Sequence, residues 1–333
     1  MPSLTPWILA ARPKTLGAAI APVLVGTAIG AKLGGEFCVW LALATLGSCI
    51  CLQIATNLFN DAVDGLKGSD TKERLGPVRI TASGMMPPRT VLKVAAGFLI
   101  LATALAVPLI IYGGWPIIAI GIPSLWFCYG YTGGPVPLAY RGLGELFVIL
   151  FFGLIAVTGS AYVQSGQWHL EALIAGLQVG MLSTVLIAIN NLRDIEEDTK
   201  TGKRTLAVRF GKFFARQEIF FLCWIPFVLG FLYWPGSTLP QMAAASGLIV
   251  PAVYLAMLVS REEPSPRFNK FLAVAGAMLL FFAIDVTVLI SVQNSYVGPG
   301  VLAGSLVILG ILLWIASHGR KETENPRSLS RDA

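Results

Sequence analysis

VWLALATLGSCICLQIATNLFNDAVD, residues 39–64, opens with about twenty mainly apolar residues and closes on two asparagines and two aspartates. A bilayer core needs about 20 apolar residues per helix. Asn57, Asp61 and Asp64 follow the spacing i, i+4, i+7, and Asn60 lies four residues before Asp64, so these side chains share a helical face. The stretch predicts a membrane-spanning helix that ends in a column of oxygen atoms.

A second polar cluster has the same form. INNLRDIEED, residues 189–198, follows another apolar run, and Asn190, Asp194 and Asp198 are spaced four residues apart. Mg²⁺ prefers oxygen ligands and usually combines one or two carboxylates with water and substrate phosphates. Two such columns that face each other would hold metal ions bridging a diphosphate.

The composition is that of a polytopic membrane protein. Hydrophobic residues make up 55% of the chain and charged residues 13%, and the mean hydropathy is +0.73. A soluble domain carries about 25% charged residues. The pI near 9.1 does not indicate nucleic-acid binding, because the basic residues lie in short loops between the apolar runs.

We therefore predict an all-α membrane protein. The ten candidate spans are residues 15–31, 38–60, 90–112, 115–132, 143–165, 171–193, 213–234, 239–259, 268–290 and 299–317.

The distribution of positive charge predicts the orientation. With the N-terminus in the cytoplasm, every Lys and Arg except Lys32 falls in a cytoplasmic segment. This agrees with the positive-inside rule and places the C-terminus and both acidic clusters on the cytoplasmic side.

Basic residues follow each acidic cluster. Arg74 and Arg79 come after the first cluster and Lys203 after the second. Arginine grips phosphate bidentately and lysine acts as a point charge. We expect these three side chains to contact phosphate; the alternative is that they only set the topology.

Several strings together resemble a known family. They are Arg12-Pro-Lys-Thr-Leu16, Asn57-x-x-Asn-Asp-x-x-Asp64 with Lys67-Gly-Ser-Asp70, Gly76-Pro-x-Arg79, Tyr131-Thr-Gly-Gly-Pro135 with Gly142-Leu-Gly-Glu145, and Asn190-Asn-Leu-Arg-Asp194 with Gly202-Lys-x-Thr-Leu206. Over roughly residues 8 to 290 the chain resembles the UbiA superfamily of intramembrane aromatic prenyltransferases. The first and last strings favour its 1,4-dihydroxy-2-naphthoate branch.

The resemblance implies nine helices around a central cavity, capped on the cytoplasmic side by the two motif loops. Residues 1–295 would form this transmembrane domain, residues 296–318 an extra tenth helix, and residues 319–333 a cytoplasmic tail. The family usually stops at nine helices, and neither the tenth helix nor Asp285 in the ninth span has a role in the pattern.

The resemblance also implies roles for the clustered residues. Two Mg²⁺ ions would bind Asn57, Asp61, Asp64, Asp194 and Asp198, with the four aspartates as the catalytic set. The substrate-binding set would comprise Asn57, Asn60, Arg74, Arg79, Tyr131, Asn190, Asn191 and Lys203. Aromatic candidates for shielding a carbocation are Phe59, Trp126, Tyr129, Tyr131 and Phe151.

The implied reaction transfers a polyprenyl group from polyprenyl diphosphate to 1,4-dihydroxy-2-naphthoate with decarboxylation, at a cell membrane and in contact with lipid. Two alternatives remain open at this point. One is another transferase of the superfamily, acting on 4-hydroxybenzoate, homogentisate or haem, or transferring a phytyl group. The other is a transporter, which would carry its paired charges near the middle of the membrane.

Overall fold

The computed structural model describes residues 4–70, 74–233, 247–291 and 297–318, which form helices joined by turns, with no strand among them. The helices are α1 (Thr5–Ala11), α2 (Gly17–Gly34), α3 (Val39–Lys67), α4 (Pro88–Gly113), α5 (Trp115–Gly130), α6 (Gly144–Ser165), α7 (Leu170–Arg193), α8 (Ile195–Lys200), α9 (Leu206–Tyr233), α10 (Ile249–Arg261), α11 (Phe268–Ser291) and α12 (Val297–His318).

Each predicted span coincides with one of these helices. Within the described residues, eight helices are long and apolar enough to cross a membrane, while α5 and α10 are shorter. The prediction of ten spans therefore stays open for these two helices. The start of the eighth predicted span at 239–246, the domain boundary at 295/296 and the tail at 319–333 lie outside the described residues.

Two helix bounds differ from the prediction. Helix α3 runs seven residues past the expected end at residue 60, because the residues of the polar cluster are themselves helical. The helix ends at Lys67, and Gly68 after it has φ 68°. Helix α9 begins at Leu206, before the expected residue 213, and is kinked at Gly211 with φ 85°. A residue without a Cβ adopts this backbone conformation at little cost.

The helices run alternately up and down, and contacts at both ends of the bundle show this. At the end away from the acidic clusters, the Gln164 side chain exchanges two hydrogen bonds with the backbone of Cys38, at 2.9 and 3.1 Å. The Tyr162 hydroxyl donates to the Gly113 carbonyl at 3.0 Å. At the opposite end, Lys67 of α3 donates to the Thr132 carbonyl just after α5 at 2.7 Å, and Arg74 lies 3.3 Å from Asp194 just after α7.

Small residues allow three helices to approach closely. A Cβ on Gly26 or Gly30 of α2 would lie 2.3 Å from a carbonyl oxygen of α6. A Cβ on Gly153 would lie 2.4 Å from the Gly176 oxygen of α7. Gly153 belongs to a π-helical stretch, Ile149–Ile155, within α6. Such small-residue contacts are typical of helix packing in membranes.

Helix α12 packs against α11. Its Ser305 hydroxyl donates to Asp285 at 2.9 Å, and Asp285 is only 1% exposed. Near the other end of α11, the Arg267 guanidinium donates to the Ala316 carbonyl at 3.0 Å. Asp285, whose role the sequence left open, thus contacts the extra helix and lines neither of the cavities described below.

Candidate active site

A polar cavity of about 450 Å³ lies where α3, α5 and α7 end. Of the predicted site residues, all except Asp61, Asp194 and Asp198 line it; the lining members are Asn57, Asn60, Asp64, Arg74, Arg79, Tyr131, Asn190, Asn191 and Lys203. The three exceptions are buried beside the cavity.

Asn57 is oriented by the segment that precedes α2. Its Nδ2 donates to the Ala11 carbonyl at 2.9 Å and to the Thr15 hydroxyl at 3.0 Å. A carbonyl oxygen only accepts, so the Asn57 amide cannot be reversed. Its Oδ1 therefore faces Gln53, whose Nε2 donates to it at 3.3 Å.

Asp64 and Asp61 have different surroundings although they are three residues apart. Asp64 faces the cavity, accepting from the Tyr140 hydroxyl at 2.7 Å and from Lys203 Nζ at 3.2 Å. Asp61 lies under the following loop and accepts from the backbone N–H groups of Ile80 at 3.2 Å and Thr81 at 2.9 Å, and from the Thr81 hydroxyl at 2.6 Å. These bonds favour a supporting position for Asp61, and its predicted role as a ligand stays a prediction.

In the second cluster, Asp194 is held by arginine. The Arg193 guanidinium, 1% exposed, donates to both Asp194 oxygens at 2.7 Å, to Asn190 at 2.7 Å and to Asn269 of α11 at 2.6 Å. Arg74 reaches the same carboxylate at 3.3 Å. Asp198 lies one turn further on, where burial raises the pKa of its carboxyl to about 7 against the opposing pull of Lys203.

A group of arginines faces the acids. Arg74 pairs with Asp70, and Arg79 lies 3.3 Å from the other oxygen of Asp70. Arg12 lines the cavity in a left-handed backbone conformation, φ 50°. Burial, together with repulsion from Arg74, lowers the pKa of its guanidinium to about 10, so the group stays charged at neutral pH. Its Nη2 has no hydrogen-bond partner among the described residues.

The remaining predicted residues form the walls. Asn60 accepts a hydrogen bond from the Thr132 hydroxyl. Asn191 donates to Glu145 at 2.7 Å. The Tyr131 hydroxyl lies beside Gly144.

Asp64, Asp70 and Asp194 pair with cations, whereas Asp61 accepts from backbone N–H groups and a hydroxyl. In the part of the chain that the structure describes, no three His, Cys, Asp or Glu side chains converge as ligands of a metal ion. Mg²⁺ needs only one or two protein carboxylates when a phosphate completes its shell. One or two of the carboxylates of Asp64, Asp194 and Asp198 would therefore be enough for an ion that a bound phosphate also coordinates.

A second, apolar cavity of about 320 Å³ adjoins the first. The two cavities share the side chains of Ala18, Gln53, Thr56, Phe147 and Phe152. Of the aromatic candidates, Phe151 lines the apolar cavity and Tyr131 the polar one, whereas Phe59, Trp126 and Tyr129 line neither. A molecule with a charged head and a long apolar tail would fit across the shared wall.

Sequence reasoning missed several residues of the site: Arg12, Asp70, Tyr140, Arg193 and Asn269. Arg12, Asp70 and Arg193 lie inside the quoted family strings and so carried a signal. Asn269, which donates to the Leu75 carbonyl at 3.0 Å, gave only the weak signal of one amide at the start of an apolar run.

Comparison with known proteins agrees with this geometry. The model of the UbiA prenyltransferase family matches residues 19–283. The chain is 39% identical to the 1,4-dihydroxy-2-naphthoate octaprenyltransferase of Mycobacterium leprae, over 65% of this chain and 73% of that protein. It is 40% identical to the protein of the same name from Mycobacterium tuberculosis, over 63% and 72% of the two chains.

Solved structures share the fold. A UbiA homologue from Archaeoglobus fulgidus, bound to DMAPP and Mg²⁺, superposes with a TM-score of 0.62 at 15% identity, covering 84% of this chain and 98% of that one. A digeranylgeranylglyceryl phosphate synthase superposes with a TM-score of 0.57 at 18% identity, covering 86% and 99%. The chain belongs to the UbiA prenyltransferase family.

Proposed function

We propose that this protein transfers a polyprenyl group from polyprenyl diphosphate to 1,4-dihydroxy-2-naphthoate, with release of diphosphate and CO₂, and so makes demethylmenaquinol in menaquinone biosynthesis. The observation that carries the proposal is the meeting of a cation-lined cavity and an apolar cavity at a shared wall. A diphosphate with a long hydrocarbon tail needs both environments. The names of the mycobacterial relatives support the naphthoate as acceptor.

Arg74, Arg79 and Lys203 bind the diphosphate. Arg74 pairs with Asp70 and Asp194, Arg79 with Asp70, and Lys203 with Asp64. The three cations therefore lie next to the acidic clusters. As the bond between the allylic carbon and oxygen breaks, negative charge grows on the leaving diphosphate. Fixed cations stabilise this charge and lower the barrier.

Asn57, Asp64, Asp194 and Asp198 would hold the two predicted Mg²⁺ ions, and Asp61 completes the predicted set. When bound, the metal neutralises the charge of the diphosphate, including the negative charge that grows as the diphosphate leaves. Burial raises the pKa of the Asp198 carboxyl, and a neighbouring cation would favour its ionised form.

The acceptor occupies the rest of the polar cavity. Arg12 has an unpartnered Nη2 among the described residues and binds the naphthoate carboxylate. Asn60, Tyr131, Asn190 and Asn191 shape the ring site. The aromatic rings of Phe147 and Phe152, on the shared wall, keep water from the cation-like allylic carbon.

The protein crosses the cell membrane several times, with both termini and the active-site cap in the cytoplasm. The charge distribution supports this orientation, because Lys32 is the only Lys or Arg of the sequence that would lie on the side of the membrane away from the cytoplasm. Large apolar side chains exposed on the helices, such as Ile111 at 80% and Ile100 at 72%, suit contact with lipid. The division into residues 1–295, 296–318 and 319–333 stays a prediction.

Purified protein in liposomes, supplied with Mg²⁺, labelled polyprenyl diphosphate and 1,4-dihydroxy-2-naphthoate, tests the proposal. We expect a prenylated, decarboxylated naphthoquinol that EDTA abolishes and added Mg²⁺ restores. Asp64→Asn and Asp198→Asn should lose product formation. Asp285→Asn, which removes a buried acid outside both cavities, should retain it.

The other outcomes separate the alternatives. Product from 4-hydroxybenzoate alone would keep the site and replace the acceptor. Folded protein that makes no product from any aromatic acceptor would contradict the proposal, and uptake of a solute by the same liposomes would identify a transporter.

A further inference from the structure

Glu145 is a buried acid to which the proposed reaction assigns no role. It lies in the first turn of α6, is 4% exposed and lines the polar cavity. Its Oε1 accepts a hydrogen bond from Asn191 Nδ2 at 2.7 Å. Its Oε2 has no hydrogen-bond partner among the described residues. A buried carboxylate oxygen without a donor is costly, so a donor supplied by a ligand would be strongly favoured.

The surroundings of Glu145 support a ligand-facing position. The Ser183 hydroxyl, on α7 and on the wall of the same cavity, is also buried without a partner in the described chain. The Tyr131 hydroxyl and the Ile187 side chain both lie beside Gly144, 2.9 and 3.1 Å from where a Cβ would stand. This corner therefore combines one apolar wall with polar atoms that have no partner, which suits one edge of an aromatic ring.

Charge decides which group of a ligand would face Glu145. The cavity lining carries Arg12, Lys14, Arg74, Arg79, Arg193 and Lys203, and these cations attract anionic groups. Glu145 repels a carboxylate or a diphosphate, and it accepts hydrogen bonds from a hydroxyl. A ring that bears both a carboxylate and a phenolic hydroxyl satisfies both kinds of wall.

We propose that Glu145 accepts a hydrogen bond from one phenolic hydroxyl of the aromatic acceptor and thereby fixes which ring carbon faces the allylic carbon. Asn191 is the positioning residue, since its amide occupies Oε1 and leaves Oε2 for the hydroxyl. The inference rests on the proposed function, because it names the part of the acceptor that this corner recognises.

The test compares 1,4-dihydroxy-2-naphthoate with its two monomethyl ethers, each of which lacks one hydroxyl donor. The ethers are measured as competitive inhibitors, so they need not react. Glu145→Gln keeps the size of the side chain and a partner for Asn191 but removes the negative charge. Asp285→Asn, the loss of a buried acid outside the cavities, is the matched control.

We expect Glu145→Gln to raise the KM for the dihydroxynaphthoate and the inhibition constant of one ether about 10- to 100-fold, the range for a hydrogen bond to a charged group. The inhibition constant of the other ether, which lacks the contacted hydroxyl, should change less than about twofold. The KM for polyprenyl diphosphate should stay unchanged, and Asp285→Asn should alter none of these values.

Equal shifts for the dihydroxynaphthoate and both ethers would show that Glu145 only supports the fold, and no shift would show that it does not contact the acceptor. If Glu145→Gln does not fold, Glu145→Asp serves instead, because it withdraws the carboxylate by one methylene and should give the same pattern. Wild-type product formation checks the proposed function separately from this comparison.

Discussion

At the scale of single residues, the geometry of the site depends on single charged groups that contact several side chains at once. Arg193 contacts Asp194, Asn190 and Asn269 through one planar guanidinium. Its fork geometry lets one buried cation orient Asn190 of α7, Asp194 directly after α7, and Asn269 of α11. Lysine carries the same charge but cannot reproduce this arrangement.

We therefore predict that Arg193→Lys weakens metal binding without removing the metal ligands. Loss of a partner that orients a ligand typically costs about 10- to 100-fold in metal affinity. The Mg²⁺ concentration for half-maximal activity should rise by that factor in a titration of the purified enzyme. Arg267→Lys, at the α11–α12 contact, is the matched control, and an equal rise there would contradict the explanation.

The two aspartates of the first cluster should respond differently to the loss of charge. Asp64→Asn should abolish activity but lower the thermal midpoint less than Asp61→Asn, because the asparagine oxygen can still accept from the Tyr140 hydroxyl and no backbone N–H group loses its acceptor. Asp61→Asn should lower the free energy of unfolding by ~1–3 kcal/mol, because its amide would set an N–H group against the donors of Ile80 and Thr81. Thermal unfolding in detergent distinguishes the two variants. Equal midpoints would contradict the assignment of different roles to Asp61 and Asp64.

The sequence alone could not separate these aspartates. Their helical spacing predicts one shared face, and both residues lie on α3. Only the loop that returns over Asp61 makes it different from Asp64, and this contact joins residues about twenty positions apart. The partners of Arg12 and Arg193 are likewise set by packing between distant segments.

At the scale of the elements, apolar periodicity and length predicted the helices well, while close approach between them could not be read from the pattern. Gly153 looks like any glycine of an apolar run. In the structure it permits contact between the π-helical part of α6 and the backbone of α7, which carries Asn190 and Asn191 to the cavity.

We predict that Gly153→Ala separates α6 from α7. A Cβ there would lie 2.4 Å from the Gly176 oxygen and 2.5 Å from the Gly180 Cα, so the backbones must move apart. The cost should be ~1–3 kcal/mol, as for other overpacked sites, with a lower thermal midpoint. Gly97→Ala on α4, where a Cβ meets nothing within 4 Å, should be neutral or slightly stabilising; comparable losses in both would contradict this account.

At the scale of the whole molecule, we expect the two joined cavities to limit the length of the hydrocarbon tail that can bind. Ala106 of α4 lines the apolar cavity, and Ala104 of the same helix is exposed and does not. A phenylalanine at position 106 would fill part of the 320 Å³ available.

Ala106→Phe should therefore shift the preference among polyprenyl diphosphates towards shorter chains. The ratio of kcat/KM for a short donor to that for a long one should rise by about tenfold, corresponding to about 1.4 kcal/mol of lost tail binding. Ala104→Phe should leave the ratio unchanged. An unaltered ratio in Ala106→Phe would place the tail elsewhere.

The position of Asn269 has a consequence for how the enzyme assembles during synthesis. It bonds both to Leu75, in the loop after the first cluster, and to Arg193, beside the second. During synthesis the two acidic clusters are made long before α11 leaves the ribosome. This link between the two loops thus forms only after α11 has entered the bilayer, and a nascent chain that stalls earlier would carry both acidic clusters without it.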